Sequence, residues 1–169
     1  MECKIRRWRL EDAPDLAATI NNQNVQRNLR DGLPYPYTEA DARAFIEEMQ
    51  AAGDAGKAFA FAITIDDRAV GSITASRQDN IHRRTAEIGY YLAEPLWGKG
   101  LGTSALQQAC EYIFASTDII RIFAEPFAYN TASCRILEKS GFVCEGVLRC
   151  NAVKDGQVLD MKMYARIKE

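Results

Sequence analysis

Three stretches in the middle of the chain are rich in β-branched and aromatic residues and are separated by polar turns, a pattern typical of neighbouring strands. They span residues 59–65, 69–75 and 85–92. The turn Asp66-Asp67-Arg68 between the first two is short, so we predict that they form an antiparallel hairpin. A polar connection that contains His82 leads to the third strand.

Helical spacing of apolar residues dominates the regions on either side of these strands. Thr38-Glu39-Ala40-Asp41 has the form of a helix cap, and Gly53 can end the helix that follows. Between the first two predicted helices, two prolines hold residues 31–37 in an aromatic loop. We predict helices over 12–23, 38–53, 101–115 and 130–140, and further strands over 4–9, 119–124, 142–148 and 158–165. The order β α α β β β α β α β β predicts an α+β fold whose sheet is mostly antiparallel.

The composition predicts one domain over residues 1–169 and argues against several classes of function. The chain is 47% hydrophobic and contains no linker or repeat. A net charge of −2 gives no basic field for nucleic acid or an anionic membrane, and no apolar run approaches the roughly 20 residues of a membrane span. The single histidine, His82, excludes a metal site built from several imidazoles. Five scattered cysteines and an N-terminus without an export signal predict a reduced, cytoplasmic protein.

A glycine-rich turn, Trp97-Gly98-Lys99-Gly100-Leu101-Gly102-Thr103-Ser104, joins the third central strand to a long helix. Helix starts usually carry Asp or Glu, and the first turn of this helix has neither. Its N–H donors beside Lys99 therefore favour an external anion such as a phosphate. The alternative is a flexible loop before a buried helix. Neither a Walker A loop nor a dinucleotide fingerprint fits, because Gly100 follows Gly98-Lys99 and Thr103 occupies the sixth position.

The strand before that turn carries a carboxylate that is a candidate general base. Alternation along residues 85–92 places Glu87 on one face together with Gly89 and Tyr91. A glycine inside a strand often marks the close approach of a ligand. Burial would raise the pKa of Glu87, as a general base needs. The alternative is an ion pair with Arg83 or Arg84 on a solvated face.

Asn130-Thr131-Ala132-Ser133 opens the next predicted helix. Simple capping by Asn130 is the favoured interpretation of these residues alone. Alternatively, the Asn130 amide and the Ser133 hydroxyl face a ligand held by the neighbouring helix, and Ser133 donates a proton to it. Cys134 follows directly, and packing explains a lone thiol there better than a role as acyl carrier.

In their order and spacing, these segments resemble the GNAT superfamily of acyl-CoA-dependent N-acetyltransferases. The resemblance is strongest to the RimJ/RimL type, which acetylates protein N-termini, chiefly of ribosomal proteins. It covers nearly the whole chain. The segments that carry it are Arg6-x-Trp8-x-x-Glu11-Asp12-Ala13, Pro34-Tyr35-Pro36-Tyr37-Thr38, Ala86-Glu87-Ile88-Gly89-Tyr90, Trp97-Gly98-Lys99-Gly100, Asn130-x-x-Ser133, Glu138-Lys139-x-Gly141-Phe142 and Glu145-Gly146. It implies a splayed, mostly antiparallel sheet with helices on both faces, in which strands 85–92 and 119–124 part to admit acetyl-CoA.

The resemblance also implies the contacts with this co-substrate and assigns no metal. The superfamily pattern of Arg or Gln, two residues, Gly, one residue, then Gly or Ala matches Trp97-x-x-Gly100-x-Gly102, with Trp97 replacing the usual first residue. Asn130 would contact the pantetheine, and the backbone of Ile88, Gly89 and Tyr90 would pair with it and polarise the thioester carbonyl. The amides that would hold the pyrophosphate are those of Gly98, Lys99, Gly100, Leu101, Gly102 and Thr103.

The implied reaction is direct attack of a neutral amine on the thioester in a ternary complex. Glu87, acting through water, would remove the amine proton. Many members protonate the departing thiolate with a Tyr in the helix before the Lys-x-Gly-Phe segment, but Leu137 stands there in this chain. The Rim-type serine, matched by Ser133, takes the acid role instead.

The expected acceptor is a protein N-terminal amine bounded by the first two helices and the last hairpin. Tyr35 and Tyr37 would line the entrance and Asp160 would help to hold a cation, although packing of the loop explains the tyrosines equally well. The alternatives are an acetyltransferase for a small amine (a polyamine, an amino acid or an antibiotic) and a CoA-binding module without catalysis. Both a monomer and a homodimer fit the sequence.

Overall fold

A single seven-stranded sheet organises the fold. The computed structural model describes residues 1–169. The strands lie in the order β1-β2-β3-β4-β5-β7-β6, and every neighbouring pair is antiparallel except β4 and β5, which are parallel. They are β1 (Lys4–Arg7), β2 (Ala58–Ile65), β3 (Arg68–Arg77), β4 (Thr85–Leu92), β5 (Arg121–Ala124), β6 (Val143–Lys154) and β7 (Gln157–Ile167).

Five α-helices accompany the sheet: α1 (Ala13–Ile20), α2 (Gln23–Gln26), α3 (Glu39–Asp54), α4 (Leu101–Ser116) and α5 (Thr131–Lys139). The helix predicted over 12–23 is α1, and the short helix α2 that follows it was not predicted. α1 ends at Ile20, and the Asn22 side chain accepts the backbone N–H groups of Asn24 and Val25 to begin α2. Asparagine side chains favour such caps over helix interiors, which explains the break.

Several predicted turns and ends are confirmed by local geometry. Asp66 and Asp67, both with positive φ, join β2 to β3 in a two-residue hairpin turn. Gly141, with φ +85°, follows the last turn of α5 as the predicted C-cap. The predicted strand over 4–9 is shorter than expected, because the chain leaves the sheet at Trp8 to enter a 3₁₀ turn at Leu10–Asp12.

Helices cover both faces of the sheet, as the resemblance implied. Alternation along β2 directs Phe61 and Ile63 into a large core with α4 and α5, and Ala62 into a smaller core with α1 and α3. The α+β class and the mostly antiparallel sheet are thereby confirmed. None of the helices combines the length and the hydropathy that crossing a bilayer would need.

Candidate active site

The sheet opens between its two parallel strands. β4 pairs with β5 only from Thr85–Arg121 to Glu87–Phe123, whereas it stays paired with β3 as far as Leu92. β5 ends at Ala124 and pairs on its other side with β7. Beyond Glu87, the edge of β4 that faces β5 therefore has no strand partner. We call this gap the opening.

Backbone groups of alternate β4 residues face the opening. The N–H of Gln78 donates to the carbonyl of Thr85 at 2.9 Å, and the N–H of Ala93 donates to the carbonyl of Val70 at 2.8 Å. Odd-numbered β4 residues, Gly89 included, therefore bond to β3, because hydrogen-bonding direction alternates along an antiparallel strand. The backbone groups of Ile88 and Tyr90 consequently point into the opening.

The start of α4 lies just beyond β4 and offers unpartnered donors. Gly98 and Gly100 have φ of +73° and +78°, and a Cβ at either would meet nothing within 4 Å, so backbone conformation rather than space calls for glycine. The first helical bond runs from the N–H of Ser104 to the carbonyl of Gly100. No N–H of residues 98–103 finds an acceptor in the protein, and no acid lies in the first turn.

Two other residues of this turn have structural partners. The indole N–H of Trp97 donates to the carbonyl of Leu92 at 3.0 Å, which anchors the turn to the end of β4. A Cβ at Gly102 would come within 3.0 Å of Cδ1 of Ile136, so close packing of α4 on α5 explains this glycine. Lys99 is exposed beside the free amides.

Glu87 lies at the inner end of the opening with one cationic partner. Its Oε1 is 2.6 Å from Nη2 of Arg30, and Oε2 of Glu125 is 3.6 Å from that same nitrogen. Burial raises the pKa of Glu87; the charge of Arg30 opposes this, and the charge of Glu125 adds to it. The partner is therefore Arg30 and not Arg83 or Arg84, because β4 carries Glu87 towards the segment after α2.

Ser133 lies on the other side of β4, against a tyrosine. Its Oγ is 2.9 Å from Oη of Tyr90, and its N–H donates to Oδ1 of Asn130 at 3.2 Å. Capping by Asn130 is thus confirmed. Burial raises the pKa of Tyr90 to about 12. The side chain of Tyr90 was not predicted to take part in the site, although strand alternation already directed it away from the Glu87 face.

The residues predicted to meet the acceptor have different surroundings. Tyr35 is exposed, whereas Tyr37 is buried in the smaller core, as loop packing would require. Asp160 is exposed, and its Oδ1 accepts the N–H of Cys150 within the β6–β7 hairpin. Cys134 is buried in the larger core. No three His, Cys, Asp or Glu side chains come together in a way that could hold a metal ion.

Residues 22–37, which we call the cover segment, cross the Glu87 face of the opening. Polar contacts attach this segment to several parts of the protein. Arg30 contacts both sides of the opening, and other residues contact the chain just after β4, the chain just after β5, and β6. Besides those of Arg30, these contacts are Asn22 and Asn24 with Glu94 (2.7 and 2.9 Å), Asn28 with Tyr129 (2.8 Å), and Asp31 with Lys154 (2.8 Å).

Comparison with known proteins identifies this arrangement. The family model described as acetyltransferase (GNAT) domain matches residues 3–143. The chain belongs to the GNAT acetyltransferase family. It is 30% identical over 167 residues to the protein named uncharacterized N-acetyltransferase p20 of Bacillus licheniformis, an alignment that covers 97% of this chain and 92% of the relative.

Two further relatives come from the RimJ/RimL group. The chain is 29% identical over 142 residues to ribosomal-protein-serine acetyltransferase of Escherichia coli K12, covering 82% of this chain and 79% of that protein. Mycobacterium smegmatis RimJ, solved in complex with CoA-disulfide, is 25% identical with a TM-score of 0.88, over 98% of this chain and 81% of that one. The expected family and the N-acetyltransferase activity of this GNAT protein are confirmed.

Proposed function

We propose that this GNAT protein transfers an acetyl group from acetyl-CoA to the N-terminal amine of a protein. The observation that carries the proposal is the opening, which leads along the unpaired edge of β4 from Glu87 to the unpartnered amides before α4. In this proposal residues 1–169 act as one transferase domain. The relatives named for ribosomal-protein acetylation and for bound CoA support this assignment of donor and acceptor.

The amides of residues 98–103 would bind the pyrophosphate of acetyl-CoA. They precede the first bond of α4, where the helix dipole is positive, and no carboxylate of the first turn competes for them. Lys99 adds a positive charge beside them. Trp97 would hold the turn in place, and Gly102 would let α4 approach α5.

The edge of β4 would bind the pantetheine arm. Ile88 and Tyr90 direct backbone groups into the opening, while Gly89 leaves open space above the strand on the Glu87 face. Asn130, at the start of α5, would contact the arm from the other side. The thioester supplies an activated acetyl group, and the Tyr90 N–H can donate to its carbonyl oxygen.

Glu87 would accept the proton of the acceptor amine, directly or through water. An α-amine has a pKa of about 7.7–8.0 and a lysine amine about 10.4, so a carboxylate deprotonates an α-ammonium at a cost smaller by roughly 3.5 kcal/mol. The raised pKa of Glu87 reduces that cost further. These values favour an N-terminal amine over a lysine side chain or a polyamine as the acceptor.

Ser133 lies on the face of β4 opposite Glu87 and would protonate the departing thiolate of CoA. Its Oγ is 2.9 Å from Oη of Tyr90, whose pKa of about 12 keeps the phenol protonated at neutral pH. The phenol can then return a proton to Ser133. Tyr35, Tyr37 and Asp160 are our candidates for contacts with the first residues of the acceptor.

A transfer assay tests the acceptor. Acetyl-CoA would be supplied with peptides that begin with free serine or alanine, with N-terminally blocked peptides that contain lysine, and with spermidine. We expect release of CoA thiol, and mass spectra that place the acetyl group on the N-terminus. Acetylation of spermidine or lysine without N-terminal acetylation would contradict the proposed acceptor.

Replacement of the base, Glu87→Gln, should lower kcat by about a hundredfold or more, the range for loss of general base catalysis, without changing the Kd of acetyl-CoA. The wild-type rate should fall as the pH is lowered, because the Glu87 carboxylate becomes protonated. Since the pKa of Glu87 is raised, this fall should begin at a higher pH than for an ordinary glutamate. This acidic limb should be absent from Glu87→Gln. Glu111→Gln, an exposed change on α4, is the control. An unchanged kcat for Glu87→Gln would exclude the assigned role.

A further inference from the structure

Glu125 stands across the opening from the proposed base. The parallel register pairs Glu87 with Phe123, so Glu125, two residues further on, follows the end of β5 on the other side of the gap. Its side chain is 19% exposed and that of Glu87 is 25% exposed. Neither carboxylate has a partner in the protein other than Arg30.

Open space lies beside Glu87 on β4. Gly89 lies on the Glu87 face of β4, next to Glu87 in the alternating pattern, and a Cβ there would meet nothing within 4 Å. Any larger residue would project into this space. An acceptor group above Gly89 would therefore find room beside Glu87.

Arg30 contacts the two carboxylates through the same nitrogen. Arginine commonly pairs with a carboxylate through two nitrogens, as Arg6 does with Asp12 and Arg121 does with Glu145. For Arg30, the ion-pair distances to Glu87 and to Glu125 both run from Nη2, and no bidentate pair of hydrogen bonds joins it to either carboxylate. A single nitrogen between two carboxylates is the arrangement that a compact ammonium group can reproduce.

Arg30 is also easily displaced. It lies on the cover segment, and its side chain is 66% exposed, so water already solvates much of the guanidinium and can replace its contacts. We propose that Glu125 is a second acceptor-binding carboxylate of the transfer site, and that the guanidinium of Arg30 occupies the place of the acceptor's ammonium group until that group displaces it. This inference rests on the proposed function.

The two carboxylates then have separate tasks. The acceptor arrives as an ammonium ion held between them. One N–H bond breaks as the proton passes to Glu87, which leaves a neutral amine with a free electron pair. This pair forms the C–N bond as the C–S bond breaks, and the second proton that the nitrogen then loses balances the proton that the departing thiolate takes from Ser133. Glu125 stays charged and positions the amine, so it is a residue for acceptor binding rather than for proton transfer.

Initial rates with a peptide that begins with free serine test this division. We expect Glu125→Gln to raise the KM of the peptide about tenfold, the effect of losing one charged hydrogen bond, and to leave the KM of acetyl-CoA unchanged. Glu125→Asp should restore part of the loss. Arg30→Ala should lower the KM of the peptide about threefold, because the competing cation is gone. The matched control is Asp31→Asn, which breaks the neighbouring ion pair with Lys154 and should leave the peptide KM unchanged.

Two results would overturn the inference: an unchanged peptide KM in Glu125→Gln, or a raised peptide KM in Arg30→Ala. Calorimetric binding of the same peptide to the CoA-bound protein gives a readout that does not depend on turnover, and the variants should shift it in the same directions. A wild-type protein that binds the peptide without acetylating it would contradict the proposed function alone. One that does not bind it would contradict both.

Discussion

The two long helices of this protein, α3 and α4, have 16 residues each and begin in opposite ways. At α3, the Thr38 hydroxyl accepts the N–H of Asp41 at 3.2 Å, and the Asp41 carboxylate accepts the N–H of Thr38 at 2.8 Å. The bonds that the Asp41 carboxylate accepts from the N–H and the hydroxyl of Thr38 lower the pKa of Asp41. At α4, Gly100 has no side chain to cap the helix, and no acid follows it.

At α3 the chain's own side chains cap the start of the helix, whereas at α4 no side chain does so. Both helices have the same donors at their starts, because the first amides of any helix lack partners within it. Only α4 begins beside the opening. We infer that the missing cap of α4 keeps its first amides available for a ligand. Three sets of variants test this difference, and each changes a charge or a cap at the start of one helix.

The largest effect should come from Gly100→Glu, which puts a carboxylate at the proposed pyrophosphate site. Calorimetry should show loss of acetyl-CoA binding, because the new charge repels the phosphates and competes for the amides. Gly100→Lys is the matched control, since it introduces the same strain at φ +78° with the opposite charge. Equal loss of binding in both variants would assign the effect to strain and contradict the anion site.

A smaller effect should follow from Thr103→Glu, which gives α4 an acid at the helical position that Asp41 occupies in α3. The affinity for acetyl-CoA should fall about tenfold, while the free energy of unfolding of the unliganded protein should rise by about 0.5 kcal/mol. Calorimetry and urea denaturation would measure the two quantities. A parallel change in affinity and stability would show that the start of α4 is not reserved for an anion.

The smallest effect should come from Thr38→Ala, which removes the cap of α3. The free energy of unfolding should fall by about 1 kcal/mol, the usual loss for an N-cap. The affinity for acetyl-CoA should stay the same, because α3 begins away from the opening. Urea denaturation and calorimetry would again be used, and a weakened affinity would mean that the two helix starts are coupled.

Features encoded by neighbouring residues were predictable from the sequence. The cap at Thr38 and Asp41, the hairpin turn at Asp66 and Asp67, and the C-cap at Gly141 each depend on residues close together in the chain. The alternation of β4 likewise placed Glu87 and Tyr90 on opposite faces. The short helix α2 was missed, because Asn22 can end one helix and also begin another.

Features that join distant parts of the chain were not predictable from the residues. The opening was expected only from the family resemblance, since hydrophobic spacing does not reveal that β4 and β5 part after Glu87. The ion-pair alternative for Glu87 named neighbours in sequence, whereas Arg30 approaches from the cover segment. Glu125 gave no local signal, because its position relative to Glu87 depends on the parallel register. The roles assigned to individual site residues stay predictions.

The incomplete start of α4 has a thermodynamic consequence for the whole molecule. A ligand that satisfies the amides of residues 98–103 binds the native protein and has no such surface on the unfolded chain. Linkage then makes the native state more stable by about 2.7 kcal/mol when the ligand is present at about 100 times its Kd. The melting temperature should therefore rise with acetyl-CoA concentration, so that the resistance of this enzyme to heat and proteolysis follows the supply of its own acetyl donor.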